Sequence, residues 1–352
     1  MAMVKHAAYI KVLIISAIAL FMPSDGTCKE PKDPYLMEDK ALGLVHRSRV
    51  TVTYKVSEHK NGKVTLKTNN LGFRKDTDTK IKKEKGVVRI LVTGDSHIDG
   101  IVNNNESFPN LLENKLNSEN KKMRFEVING AVSYWGFDNY YTFLRRYLFL
   151  KPDVYIIVVY AGNDFLNSAI TLEGKGIFNK RPPKYLENLR SLRKYGWSWA
   201  PVFQAVNQIY YFKTFPKMKE RTAEHALDVI SKMHALCKSY GIDFIVVFLP
   251  TKLDVEWQRD KTALENVKKH LRLDEADLRI NRDMTEFLIK GVAKKNIKFL
   301  DLYESMRNQP TELYWKKDYH LNVEGHKFLT EKMYEKYGDS FFRIETQPAS
   351  NG

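Results

Sequence analysis

Ser96 closes the stretch Val88-Arg89-Ile90-Leu91-Val92-Thr93-Gly94-Asp95-Ser96, where a short apolar run hands over to a serine. Asp318-Tyr319-His320 stands near the other end of the chain, and Gly162-Asn163-Asp164 ends a second apolar run between them. A serine, a histidine and a carboxylate are the parts of nucleophilic catalysis. The imidazole takes the hydroxyl proton and returns it to the leaving group, while the acid holds the imidazole tautomer and stabilises the imidazolium. Ser96 is then the candidate nucleophile, His320 the candidate base and Asp318 the candidate acid. The Ser96 backbone N–H and the Asn163 side-chain amide are candidate donors to a developing oxyanion, with a third donor expected at the end of the second strand. Each piece also has a plainer reading, since Gly, Asp and Ser are turn residues and a lone histidine is more often structural.

What raises these residues above turn chemistry is where the chain must put them. Val87 to Val92 is rich in β-branched residues and broken only by Arg89, a pattern that suits a strand buried on both faces of a parallel sheet. Comparable runs follow at Arg124–Ile128, ending at Asn129-Gly130, and at Val154–Tyr160; later come Phe244–Leu249, ending at Pro250, and Ile297–Leu300. Helical patterns lie between them at Phe108–Leu116, Asn139–Leu148 and Ala223–Tyr240. Five short apolar strands separated by helices predict a doubly wound parallel sheet. Right-handed crossovers bring all five strand ends to one edge, where open α/β sheets hold their ligands. The polar motifs fall at those ends.

The 352 residues, 43% of them hydrophobic, suffice for one large domain with ample core. Residues 1–26 read as an export signal: Lys5 and Lys11 supply charge, Val12–Met22 is apolar, and Ser24-Asp25-Gly26 offers small residues for cleavage. The protein is therefore expected to be exported, to a periplasmic or extracellular space, with an uncleaved membrane anchor as the alternative. Residues 27–85 form a β-containing appendage, with Val50–Val56 alternating as a strand, Asn61-Gly62 as a hairpin signal and Val64-Thr65-Leu66 as the return strand. Residues 86–345 make the main domain, interrupted by insertions at 165–222 and 251–291, and 346–352 are a tail. The first insertion carries Lys180, Arg181, Lys184, Arg190, Arg193 and Lys194 with Trp197, Trp199 and Tyr210-Tyr211-Phe212. It reads equally as a surface on which sugar rings stack and as a helical excursion whose aromatics pack inward. The second, with Leu264, Val267 and Leu271 at helical spacing, is assigned to packing. The formal net charge of +15 suits an anionic glycan or an anionic membrane surface, and no nucleic-acid motif accompanies it. Cys28 and Cys237 form no disulfide framework, and no Cys/His cluster has metal-ligand spacing.

Gly94-Asp95-Ser96, the Asn129-Gly130 strand end, Gly162-Asn163-Asp164 and Asp318-Tyr319-His320 together resemble the four blocks of the SGNH hydrolases, the GDSL-type esterases, in the family's order. The resemblance covers roughly residues 69–340, because Asn70-Leu71-Gly72-Phe73-Arg74 also recurs in bacterial members. It implies a flavodoxin-like three-layer α/β/α sandwich, no metal or other cofactor, and hydrolysis through an acyl-serine intermediate. It makes Ser96 the nucleophile, His320 the base, and Asn163 with the Ser96 amide the oxyanion hole. Two positions depart from the pattern. The family's acid stands three residues before the histidine, where this chain has Lys317; Asp318 is the acid within reach, a spacing similar to relatives that move acetyl groups on exopolysaccharides. The block-two glycine aligns with Tyr134, so Gly130 or Gly136 is expected to supply that oxyanion donor. His97 and Asp99 flank the nucleophile as turn or wall residues, and His97, Tyr134 and Trp315 are the candidate substrate contacts. The function expected is a secreted serine esterase acting on O-acyl esters, chiefly O-acetyl esters of a carbohydrate. The rivals are an O-acyltransferase acting on a polysaccharide and a non-catalytic glycan-binding protein on an esterase scaffold.

Overall fold

The computed structural model describes residues 33–174, 183–192, 202–256 and 261–344. Among the described residues nine strands lie in three sheets: β1 (Leu36–Asp39) with β2 (Gly43–His46), β3 (Thr51–Lys55) with β4 (Lys63–Lys67), and a central five-stranded sheet. The central strands are β5 (Val87–Thr93), β6 (Arg124–Asn129), β7 (Val154–Tyr160), β8 (Asp243–Leu249) and β9 (Lys298–Asp301). They run parallel in the order β6-β5-β7-β8-β9, the flavodoxin-like order with the first strand between the second and third. All five answer to the apolar runs in the sequence, with bounds shifted by a residue at most.

Alternation along each strand divides the core in two. Val88, Ile90 and Val92 of β5, with Ile156, Val158, Ile245 and Val247, face the layer formed by α1 (Phe108–Glu119) and α7 (Val323–Phe341). Leu91, Tyr155, Ile157, Val159, Val246 and Phe248 face the other layer. That layer holds α2 (Phe137–Tyr147), α3 (Asp164–Gly174), α4 (Phe203–Thr214), α5 (Pro216–Ser239) and α6 (Ile280–Lys294). The result is the three-layer α/β/α sandwich. Arg89, the polar break in β5, is buried with its guanidinium satisfied: Nε donates to Glu126 at 2.7 Å, and Nη1 and Nη2 donate to the carbonyls of Leu150 and Lys80. A buried cation survives there because each of its three guanidinium nitrogens has an acceptor, one of them the Glu126 carboxylate.

The forepart folds as two hairpins against the main domain. β3 and β4 pair as their alternation predicts, with Gly62 at φ +65° in the connection. The β1–β2 hairpin was not expected. Asp39 closes it, its carboxylate accepting the N–H groups of Ala41 and Leu42, an Asx turn rather than a pattern of apolar alternation.

The insertions resolve in favour of packing where they are described. Tyr210, Tyr211 and Phe212 are buried with Tyr185 and Phe203 in the core, so these aromatics are not a sugar-stacking surface. Lys180, Arg181, Arg193, Lys194, Trp197 and Trp199 lie outside the described residues, as do residues 1–32, where an export signal is expected, and residues 345–352. Leu264, Val267 and Leu271 are buried, as assigned. Cys237 is shut in the core, where burial pushes its thiol up to about 12, so it behaves as a small hydrophobe. Among the described residues, no helix is long and apolar enough to cross a membrane.

Candidate active site

The nucleophile segment is built by the exit from β5. A Cβ on Gly94 would lie 2.8 Å from Ile98 Cγ1 and 3.2 Å from the Val158 carbonyl oxygen, so the close turn admits only glycine. Asp95 then caps the short helix Ser96–Asp99, its carboxylate accepting the His97 N–H at 2.9 Å. Ser96 takes the first helical position, where the helix itself offers no carbonyl to its N–H.

His320 arrives on a tight loop before α7. Tyr314 and Leu321 pair across it, Trp315 N–H donates to the His320 carbonyl at 3.0 Å, and Asn322 caps α7 while its amide donates to the carbonyls of Glu312 and Tyr314. Gly325 is required beneath it: a Cβ there would stand 2.2 Å from the Leu313 carbonyl oxygen.

These two segments bring Ser96, His320 and Asp318 into one hydrogen-bonded chain. Ser96 Oγ lies 2.8 Å from His320 Nε2, and His320 Nδ1 lies 2.5 Å from Asp318 Oδ1, which also accepts the His320 backbone N–H at 2.8 Å. Burial works to raise the Asp318 pKa, but the facing His320 and its two hydrogen bonds, with Lys252 beyond, outweigh it and hold the carboxyl below its ordinary value. Asp318 is therefore ionised, and it fixes the tautomer that leaves Nε2 ready to accept the Ser96 proton. Ser96 keeps 8% of its surface exposed and His320 3%, so the pair is nearly enclosed, with the serine the more open of the two.

Asn163 follows β7 and sits almost buried beside Asp95, whose ionisation its side chain eases. Its Oδ1 is buried without a protein partner. Burial nonetheless dominates at Asp95 and pushes its carboxyl up to about 6, and burial with the neighbouring Asp95 pushes Asp164 well above the carboxylate range.

Several expected contacts are reassigned. Gly130 is not an oxyanion donor, because its N–H donates to the Val92 carbonyl at 2.9 Å and extends the sheet. It is glycine for another reason: a Cβ would fall 2.0 Å from Phe143 Cζ. Gly136 is likewise committed, its N–H donating to Asn139 Oδ1 at 3.1 Å. Tyr134 is half-buried at φ +69°, so the position where the family pattern has glycine keeps a glycine-like backbone under a tyrosine side chain. His97 is wholly buried rather than open to substrate; it stacks on Tyr160 at 3.5 Å, donates its Nε2–H to Gln204 Oε1 at 3.1 Å, and supports the His320 ring 4.9 Å away. Burial lowers its pKa well below the ordinary value, so it is neutral. Trp315 packs among Tyr35, Val52, Val56, Val64 and Leu66 of the forepart rather than facing a ligand.

Asp99, read as a turn or wall residue, is a junction. Its carboxylate accepts Tyr35 Oη–H at 2.8 Å and faces His46 Nε2 at 3.2 Å and Arg74 Nη1 at 3.8 Å, which ties the nucleophile helix to the forepart. Nothing local in the sequence marks it, since its partners lie tens of residues upstream.

No family model matches the sequence, and no curated protein matches it. Among solved structures the chain is similar to the acetyl xylan esterase AlAXEase, at 13% identity and a TM-score of 0.42 over 71% of this chain and 99% of that one. It is similar to a catalytic mutant of Axe2, an acetylxylan esterase from Geobacillus stearothermophilus, at 12% identity and a TM-score of 0.43 over 74% and 97%. A GDSL-like lipase from Bacteroides thetaiotaomicron aligns at 13% identity and a TM-score of 0.37 over 72% and 88%. At such identities the residue roles rest on the geometry of this chain.

Proposed function

We propose that the protein is a serine esterase that hydrolyses O-acyl esters, small acyl groups such as acetyl foremost, through an acyl-Ser96 intermediate. The observation that carries the reading is the unbroken Ser96–His320–Asp318 hydrogen-bonded chain at the carboxyl edge of the sheet. His320 Nε2 takes the Ser96 proton as Oγ attacks the ester carbonyl, and the oxyanion is received by the Ser96 N–H and Asn163. Collapse breaks the ester C–O bond, and His320 returns the proton to the departing alcohol. Water then repeats the sequence on the acyl-enzyme, releasing the acid and restoring Ser96.

The substrate class we propose is an acetylated carbohydrate met outside the cytoplasm; the export-like residues 1–26 and the net charge of +15, suited to an acidic polymer, support it. The wild-type chain should hydrolyse a small chromogenic acetate and release acetate from an acetylated acidic polysaccharide. Ser96→Ala should abolish both while circular dichroism stays unchanged. Turnover retained in Ser96→Ala would overturn the assignment, and a Ser96 that never reacts with a fluorophosphonate would favour a non-catalytic glycan-binding scaffold. Acyl transfer to a sugar hydroxyl would use the same residues, and acylated sugar in place of free acid identifies it.

A further inference from the structure

The loop that carries Asp318 and His320 is gripped from two sides by residues outside the triad. From the forepart, Glu58, in the Val56–Gly62 connection of the β3–β4 hairpin, accepts the Lys316 N–H at 2.7 Å on one carboxylate oxygen and the Lys317 N–H at 3.0 Å on the other. From the main domain, Lys252, first residue of the short helix after β8, is buried and donates its ammonium to the carbonyls of Trp315 at 3.0 Å and Lys316 at 3.1 Å. Four consecutive-residue backbone groups just ahead of Asp318 are therefore held by two opposite charges. Such charge-assisted bonds are strong and directional, and a buried ammonium is stable only with acceptors of this kind.

The same forepart also holds the other half of the site. Trp315 packs into the hairpin's apolar cluster with Val52, Val56, Val64 and Leu66. Across from it, Tyr35, His46 and Arg74 surround Asp99 at the end of the nucleophile helix. The hairpins thus span from the segment of Ser96 to the segment of His320, which are 224 positions apart in the chain.

We propose that Glu58 and Lys252 are positioning residues for the hydrolysis: by fixing the Trp315–Lys317 backbone they hold Asp318 and the His320 ring in register with Ser96, so the N-terminal hairpins belong to the catalytic unit. The inference rests on the serine-esterase reading. A displacement of about 1 Å in such an array lowers turnover about 100-fold, and the Glu58 and Lys252 bonds are the charged ones that fix the three residues just ahead of Asp318, beside the loop's own Trp315–His320 backbone bond. Glu58 is only half-buried, so its removal touches the loop without opening the core.

The test uses the full chain with Glu58→Ala, Glu58→Gln, Glu58→Asp and Lys252→Met, each assayed for kcat, KM and melting temperature, with hydrogen exchange at the Lys316 and Lys317 amides. Glu58→Ala should lower kcat about 10- to 100-fold with KM and melting temperature near wild type. Glu58→Gln should fall between, and Glu58→Asp should recover most of the rate. Exchange at Lys316 and Lys317 should quicken in Glu58→Ala while the amides of α7 keep their protection. Lys252→Met, which breaches the core, is judged only if it melts as a cooperative unit, and the Glu58 series decides the matter regardless. Wild-type kcat in Glu58→Ala, or unchanged exchange at both amides, overturns the positioning role alone. A wild-type chain that hydrolyses no ester overturns the esterase reading and the positioning role with it.

Discussion

Asp318 solves a spacing problem with one oxygen. Its Oδ1 accepts both the ring Nδ1–H and the backbone N–H of His320, two residues on, which is the geometry of an Asx turn carried over to an imidazole. The turn brings an acid at the second position before the histidine within hydrogen-bonding reach of the ring, and the Lys317 N–H is left to Glu58. Asp318→Asn keeps the turn, since an amide oxygen still accepts the backbone N–H, but removes the charge that stabilises the imidazolium. We expect kcat to fall roughly 10²- to 10⁴-fold, with the melting temperature little changed. Steady-state kinetics on a small acetate checks this, and turnover close to wild type would move the acid elsewhere.

At the scale of the element, the strand ends were legible because burial on both faces leaves a run of Val, Ile, Leu and Phe that no other element writes so plainly. β5 and β7 have no exposed residue along their length. Ser96, Asn163 and His320 were legible because each punctuates such a run or precedes a capped helix. Side-chain directions were not legible. The sequence offers His97 and Trp315 as substrate contacts, but tertiary packing turns one under His320 and the other into the forepart. Glu58 and Lys252 left no local signal at all, because their partners are backbone groups 63 to 259 positions away. Gly130 shows the same limit. Its place after β6 suggested a backbone donor, whereas α2 demands the glycine by laying Phe143 on the turn. Gly130→Ala should therefore destabilise by about 1–3 kcal/mol through overpacking, lowering the melting temperature by several degrees. The N–H to Val92 survives in alanine, so kcat per folded molecule should hold. Thermal unfolding beside active-site titration separates the two, and a wild-type melting temperature would show that Phe143 does not set the requirement.

At the scale of the whole molecule, buried carboxyls oppose one another in their dependence on pH. Asp99 and Asp318 are held below their ordinary values despite burial, Asp99 by His46 and Arg74, Asp318 by His320. Their contribution is present above the ordinary carboxylate range near pH 4 and is lost as pH falls through their folded values. Asp95, Asp164 and Asp254 are raised, each by burial first. For Asp95, pushed up to about 6, the folded state holds a proton that the unfolded chain has released. Its contribution is full below about pH 4 and is lost as pH rises through about 6, so stability declines across that window. Asp95→Asn keeps the helix cap, because asparagine caps as well as aspartate, and removes the titration. The variant should match wild type near pH 4 and exceed it above pH 6, by on the order of 1–3 kcal/mol for a shift of about two units. Urea unfolding of both proteins at intervals between about pH 4 and 7 measures the difference directly. Curves that run parallel across the window would mean that Asp95 is ionised in the folded state throughout, with Asn163 and His97 solvating its charge better than burial penalises it.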